Sequence, residues 1–143
     1  MFLTPHFTLA EMTASQVASR EGIDNDPDSQ TIANLVETCR SLEAVRSLVE
    51  QPILITSGYR SELLNRRIGG SRSSAHIGGL AADIIAVSLT PRDLARRIMD
   101  SALSFDQLIF EFDGWVHLGF AEGRQRREVL TIRKGTGYLP GLQ

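Results

Sequence analysis

The stretch "FDQLIFEFDGWVHLGF", Phe105 to Phe120, limits the fold more than any other part of this sequence. Apolar and polar residues alternate on both sides of Asp113-Gly114, and Asp-Gly between two alternating runs marks a β-hairpin. Side chains alternate across a strand, so the register decides which face each one occupies. With a three-residue loop, Asp113 to Trp115, Phe112 pairs with Val116, Glu111 with His117 and Phe110 with Leu118. One face then carries Leu108, Phe110, Phe112, Val116, Leu118 and Phe120. It is wholly apolar and must be core. The other carries Gln107, Ile109, Glu111, His117 and Gly119, with a carboxylate directly across from an imidazole, β-carbons about 5 Å apart. A two-residue loop would pair Phe112 with Trp115 and split the apolar face, so burial selects the odd loop.

Helical periodicity governs the first half. "FTLAEM" starts a short helix, with Thr8 as N-cap and Glu11 completing a capping box. A long helix is expected from about Gln30 to Glu50. Its residues Ile32, Leu35, Val36, Cys39, Leu42, Val45 and Val49 recur every three or four positions and make one buried face. Pro52 ends it, and "ILIT" (Ile53 to Thr56) is a short strand. Ser61 caps the helix "ELLNRR", which Gly69 and Gly70 terminate. "AADIIAV" has the length and apolarity of a buried strand, apart from Asp83. Thr90-Pro91 opens another helix, to about Ser101, and "VLTIR" is a candidate last strand. Helices first and hairpin strands later imply an α+β fold, a small and mainly antiparallel sheet packed against helices.

The 143 residues suit one domain, 1–143. No segment approaches the roughly 18 apolar residues of a membrane span. The N-terminus has neither a basic start nor an apolar core, so a chain without a secretory signal, cytoplasmic as synthesised, is expected. The one cysteine, Cys39, excludes an internal disulfide and a Cys-based zinc site, and its helical position reads as a buried thiol. The net charge of −2 divides into an acidic first part and a basic end, "GRQRREVLTIRK". A basic run this short is a solvated face rather than a nucleic-acid site. A monomer is expected.

Asp83 is a charge in an apolar strand and needs a partner, because an unpaired buried charge is costly. His76 lies seven residues before it across a loop containing Gly78 and Gly79, which let the chain bend. His117 arrives on the hairpin. Two imidazoles and one carboxylate form a three-ligand zinc set with an open fourth position, the catalytic pattern. Glu111 is placed to act as base, and Arg60 in the turn "SGYRS" offers positive charge for a developing oxyanion. Spacing alone also allows a structural histidine and a surface Glu–His pair.

"SAHIGGLAAD" follows the pattern Ser-x-His-x-x-Gly-x-Ala-x-Asp, through Ser74, His76, Gly79, Ala81 and Asp83. With "SGYRS" before it and "WVHLGF" after it, the chain resembles the zinc D-Ala-D-Ala carboxypeptidase and endopeptidase family that cuts peptidoglycan stem peptides. It is most similar to the short single-domain members of phages and prophages, and the resemblance runs from "FTLAEM" to "WVHLGF". It implies zinc held by His76, Asp83 and His117, with Arg60 orienting substrate and stabilising negative charge, and Ser74 lining the site. The expected reaction is amide hydrolysis by water activated at zinc, at the cell wall, after release by a phage system. Many members place the catalytic acid three residues before the last histidine, where this chain has Gly114. The candidates are Glu111, six residues before it, and Asp113, four before it. The related hedgehog domain, which also has a glutamate six residues before its last zinc histidine, and the hairpin register both favour Glu111. Trp115 is placed to pack against substrate or to cap the hairpin. The departure at Gly114 supports the alternative of a non-catalytic zinc-containing binding module of the same fold.

Overall fold

The computed structural model describes residues 1–143. Its elements in chain order are β1 (Phe2–Thr4), β2 (Phe7–Thr8), α1 (Leu9–Thr13), α2 (Gln16–Glu21), α3 (Ser29–Val49), β3 (Ile53–Ser57) and α4 (Glu62–Arg67). Then follow β4 (Ala81–Ala86), α5 (Pro91–Met99), β5 (Gln107–Glu111), β6 (Trp115–Gly119), β7 (Glu128–Arg133) and β8 (Gly137–Pro140). The expected α+β architecture holds. β1 and β2 form a small ribbon, and the other six strands form one sheet in the order β3-β4-β6-β5-β7-β8. Every neighbouring pair in that sheet is antiparallel except β5–β7, which is parallel. The hairpin therefore lies in the middle of the sheet, with β7 and β8 added on its far side.

The helices start where the caps predict. Thr8 accepts from the Glu11 amide while Glu11 reaches back to the Thr8 amide, and Ser61 and Thr90 cap α4 and α5. α3 ends one residue short of Glu50, which takes a left-handed conformation with φ 55°. The long helix and α5 cover one face of the sheet. Leu35, Cys39, Leu42, Val45 and Val49 of α3 and Leu94, Ala95 and Ile98 of α5 meet Ala82 and Ile84 of β4, Leu108 of β5, and Val116 and Leu118 of β6. Each large side chain buried there contributes roughly 1.5–3 kcal/mol. The opposite face, reached by alternate residues of the same strands, is left for the site.

The hairpin register differs from the sequence expectation by two residues. Glu111 pairs with Trp115, Phe110 with Val116, Ile109 with His117 and Leu108 with Leu118. The loop is Phe112 to Gly114, with Phe112 and Asp113 at φ 53° and 55° and the Gly114 amide donating to the Glu111 carbonyl at 3.0 Å. Two successive positive φ values under that hydrogen bond make a type I′ turn, the form that matches strand twist. A shift by two preserves every face, so the burial pattern cannot distinguish the two registers. One core assignment fails as a result: Phe112 is a turn residue, 48% exposed.

The parallel strand β7 depends on a connection fastened to the start of β5. The Arg127 amide donates to Phe105 and the Glu128 amide to Asp106, at 2.9 Å each, while Arg126 pairs with the Asp106 carboxylate at 2.9 Å. The short elements β1, β2, α2 and β8 have no counterpart in the sequence reading. No helix is long and apolar enough to cross a membrane.

Candidate metal centre

Asp83 and His117 are directly opposite each other on the antiparallel pair β4–β6, so their side chains leave the same face of the sheet. His76 comes from the loop between α4 and β4 and is 1% exposed. The three side chains converge on one point. His76 Nε2 lies 3.2 Å from Asp83 Oδ1 and 3.2 Å from His117 Nδ1, and His117 Nδ1 lies 3.0 Å from Asp83 Oδ1. His76, Asp83 and His117 form a group able to hold a metal ion.

The chemistry of this donor set fits a tetrahedral cation. Bonds of about 2.0–2.1 Å to zinc set ligand atoms roughly 3.3–3.4 Å apart at tetrahedral angles, close to the separations here. The tautomer of His76 agrees. Its Nδ1 sits 2.6 Å from the Gly58 carbonyl. A carbonyl only accepts, so Nδ1 carries the proton and Nε2 turns a bare lone pair toward the centre. Such a hydrogen bond orients a metal-binding imidazole and raises its basicity. Without a cation, electron pairs from two imidazoles and a carboxylate would face one another inside the protein.

The supports of His76 are specific. Gly58, whose carbonyl receives its proton, has no room for a side chain: a Cβ there would lie 2.4 Å from the Met12 carbonyl oxygen. The His76 amide donates to Ser74 Oγ at 3.2 Å, and the Arg60 amide donates to the His76 carbonyl at 3.1 Å. From α3, the buried Thr38 hydroxyl donates to the Gly79 carbonyl at 2.7 Å and Asn34 to the Gly78 carbonyl at 2.9 Å. Both glycines were expected to bend this loop. Only Gly79 has a positive φ, 74°.

Burial opposes charge on Asp83, but the His117 and His76 rings beside it outweigh burial and hold its carboxyl well below the usual carboxylate range. Burial lowers the pKa of His76. Glu111 shifts the other way. Burial, reinforced by the Asp83 charge, raises its carboxyl above the ordinary range, against the pull of His117, Trp115 and Arg60. Glu111 is diagonal to His117 rather than opposite it, about 7–8 Å away between Cα atoms. Trp115 is opposite Glu111, and its indole Nε1–H donates to Glu111 Oε1 at 2.9 Å. The indole therefore holds the carboxylate, a contact that neither reading of Trp115 from sequence included.

Arg60 is half-buried, and burial lowers its pKa against the charges of Asp83 and Glu111. Its Nη1 donates to Asn65 Oδ1 at 3.1 Å, and its buried Nε has no partner. Asn65, 1% exposed, also donates to the Ser71 carbonyl at 2.8 Å. Asn25 donates to the Thr13 and Tyr59 carbonyls and accepts from the Ser61 amide, fixing the "SGYRS" turn. Both asparagines escaped sequence reasoning, because an isolated Asn gives no pattern. Asp113 points away from the centre into a bidentate pair with Arg133, Nη2 to Oδ1 at 3.0 Å, and its side chain is 62% exposed. His6 pairs with Glu43 at 2.7 Å on the helix side.

No curated protein matches the chain. The family model described as Peptidase M15 matches residues 5–119. That span runs from the capping box through the "SGYRS" turn and the loop of His76 to the last residue of β6, and takes in all three converging side chains. The chain belongs to the peptidase M15 family, with a buried His-Asp-His triad compatible with zinc.

Proposed function

We propose that this peptidase is a zinc enzyme that hydrolyses amide bonds of peptidoglycan stem peptides, of the D-Ala-D-Ala carboxypeptidase or L-Ala-D-Glu endopeptidase type. The observation that carries the reading is the convergence of His76 Nε2, His117 Nδ1 and Asp83 Oδ1 on the sheet face that also carries Glu111. His76, Asp83 and His117 would hold the ion. Zinc bound there supplies a Lewis acid for the substrate carbonyl and lowers the pKa of water toward 7.

The protein's own groups account for the rest. Glu111, raised above the usual carboxylate range, is a stronger base than a solvated glutamate and takes the proton of the attacking water. It then returns that proton to the leaving amine. The indole of Trp115 keeps the carboxylate in one orientation between the two transfers. Arg60 carries its positive charge beside Asp83 and Glu111, so it can stabilise a substrate oxygen on which negative charge develops. Ser74 shapes the wall through its bond to the His76 amide. Asp113, tied to Arg133, has no part in this chemistry. The reading places the site of action at the cell wall, reached through a phage-type release system, with the protein as a monomer.

The test pairs metal analysis with muropeptide digestion read by mass spectrometry. The protein should carry one zinc and release new amino groups from peptidoglycan. His76→Ala should lose zinc and activity together, whereas Glu111→Gln should keep zinc and lose activity. Full zinc with no amines released would overturn the enzyme in favour of a binding module. A fully active Glu111→Gln beside a dead Asp113→Asn would overturn the assignment of the base.

A further inference from the structure

Arg60 lies within electrostatic reach of Asp83 and Glu111, yet neither carboxylate fastens it. The arginines that pair with carboxylates are Arg40, Arg67, Arg126 and Arg133. Arg60 is bound instead by a neutral side chain, from Nη1 to Asn65 Oδ1 at 3.1 Å. Its Nε is enclosed, so the guanidinium meets a ligand through Nη2 and the second hydrogen of Nη1.

Asn65 is built for one orientation. It sits in the last turn of α4, 1% exposed, and its Nδ2 donates to the Ser71 carbonyl at 2.8 Å. A flipped amide would set its NH2 group against the Arg60 N–H groups and its oxygen against the Ser71 carbonyl, so both contacts select the same rotamer. Gly70 closes over the pair. Its amide donates to the Asn65 carbonyl at 2.9 Å. A Cβ there would lie 2.2 Å from Asn65 Oδ1 and 3.0 Å from Arg60 Nη1. Gly69 beside it has φ 80° and open space around its Cβ position. The two glycines therefore divide the work: Gly69 supplies the left-handed turn after α4, and Gly70 supplies room for the Asn65–Arg60 contact. At its other end, Arg60 is tied to the loop of the triad by its amide, which donates to the His76 carbonyl at 3.1 Å.

We propose that Asn65 is a positioning residue for the reaction, a neutral clamp that fixes the Arg60 guanidinium beside the triad without cancelling its charge. The proposal rests on the hydrolytic reading above. An untethered arginine samples many rotamers and must be ordered by each substrate, whereas the Asn65 amide orders it in the folded protein. An amide oxygen accepts that hydrogen bond without adding a charge. A carboxylate in the same place would grip the guanidinium more strongly, but it would neutralise the field that a developing oxyanion needs. Asn65 touches no substrate, so its effect passes wholly through Arg60.

The test is a double-mutant cycle on kcat/KM for soluble muropeptides, with zinc content measured for every variant. Asn65→Ala should lower kcat/KM roughly 10- to 100-fold with zinc unchanged, the range of a hydrogen bond to a charged group. The same substitution in the Arg60→Ala background should change nothing. Asn65→Asp should fall close to the Arg60→Ala rate. Equal losses in both backgrounds, loss of zinc in Asn65→Ala, or a fully active Asn65→Asp would overturn the clamp. Should Asn65→Ala not fold, Gly70→Ala, which presses on Asn65 Oδ1 and Arg60 Nη1, carries the same cycle with the same outcomes. Guanidinium 1H–15N spectra of the zinc-loaded protein, recorded cold and without substrate, separate this proposal from the peptidase reading. The Arg60 signals are those that vanish in Arg60→Ala. A held guanidinium rotates slowly about Nε–Cζ, so its two Nη groups should be resolved in the wild type and in Asn65→Asp, and averaged in Asn65→Ala. If nothing is cut yet the signals behave in this way, the clamp stands and the hydrolytic reading fails. If they are already averaged in the wild type, the clamp fails whatever the enzyme cuts.

Discussion

Three glycine-to-alanine changes separate the physical supports of the loop that delivers His76. Gly79 has φ +74°, and a Cβ there would lie 3.0 Å from both the Thr31 carbonyl oxygen and Thr31 Cγ2 and 3.1 Å from Leu35 Cγ. A side chain in the left-handed region costs about 1–2 kcal/mol. Forcing a methyl against the backbone of α3 adds about 1–3 kcal/mol, since a helix cannot give way as a flexible side chain can. The sum is roughly 2–5 kcal/mol. Unfolding entropy near 2.1 cal/mol/K per residue makes each kcal/mol worth about 3 °C in a chain of this size, so Gly79→Ala should lower Tm by roughly 6–16 °C. Gly69 has φ +80° but nothing within 4 Å of its Cβ position. Gly69→Ala should therefore show only the conformational part, about 3–6 °C. Gly78 has no positive φ, and its Cβ would make ordinary contact with Leu80 Cδ1 at 3.8 Å. Gly78→Ala should leave Tm unchanged or raise it by about 1–3 °C, through the lower entropy of the unfolded chain. Far-UV circular dichroism melts of chelator-treated protein measure all three without a contribution from metal. A Gly79→Ala loss no larger than that of Gly69→Ala would refute the contact with α3. A Gly78→Ala loss equal to that of Gly79→Ala would refute the whole argument from backbone conformation.

Trp115→Phe removes the indole donor from Glu111 and keeps most of the ring; that bond lowers the Glu111 pKa, so its loss should move the acid limb of the kcat/KM profile to higher pH with zinc content unchanged. Burial pushes the Cys39 thiol up to about 12, so an aromatic disulfide reagent at mildly alkaline pH should label it only after denaturant is added. The hydrogen bond from Arg126, opposed by burial, holds the Asp106 carboxyl below its usual range. That contribution is present above the unfolded carboxylate range and is lost progressively as pH falls from there through the lowered folded-state value. Urea melts at about pH 7 and about pH 3 should therefore show a smaller loss of stability for Asp106→Asn than for the wild-type chain.

The sequence by itself determined the elements that local rules control. Thr8, Ser61 and Thr90 reveal their helices because a cap is a local hydrogen bond. The three-and-four spacing of α3 and the alternation of the hairpin reveal their buried faces because burial repeats with backbone period. Asp83 declared itself because a lone charge in a buried strand demands a partner, and His76 and His117 were the histidines within reach of a shared site. Tertiary structure decided the rest. Shifting the hairpin by two residues leaves both faces intact, so only turn geometry and pairing with β4 set Trp115, rather than His117, opposite Glu111. The parallel placement of β7 depends on backbone hydrogen bonds to Phe105 and Asp106, more than twenty positions away in the chain, and no local pattern encodes it. Asn65, Gly58 and the separate roles of Gly78 and Gly79 depend on which atoms of distant segments arrive beside them. The three converging side chains were legible because their chemistry is written in residue type. Their support was not, because an unremarkable asparagine or glycine acquires its role only from the space around it.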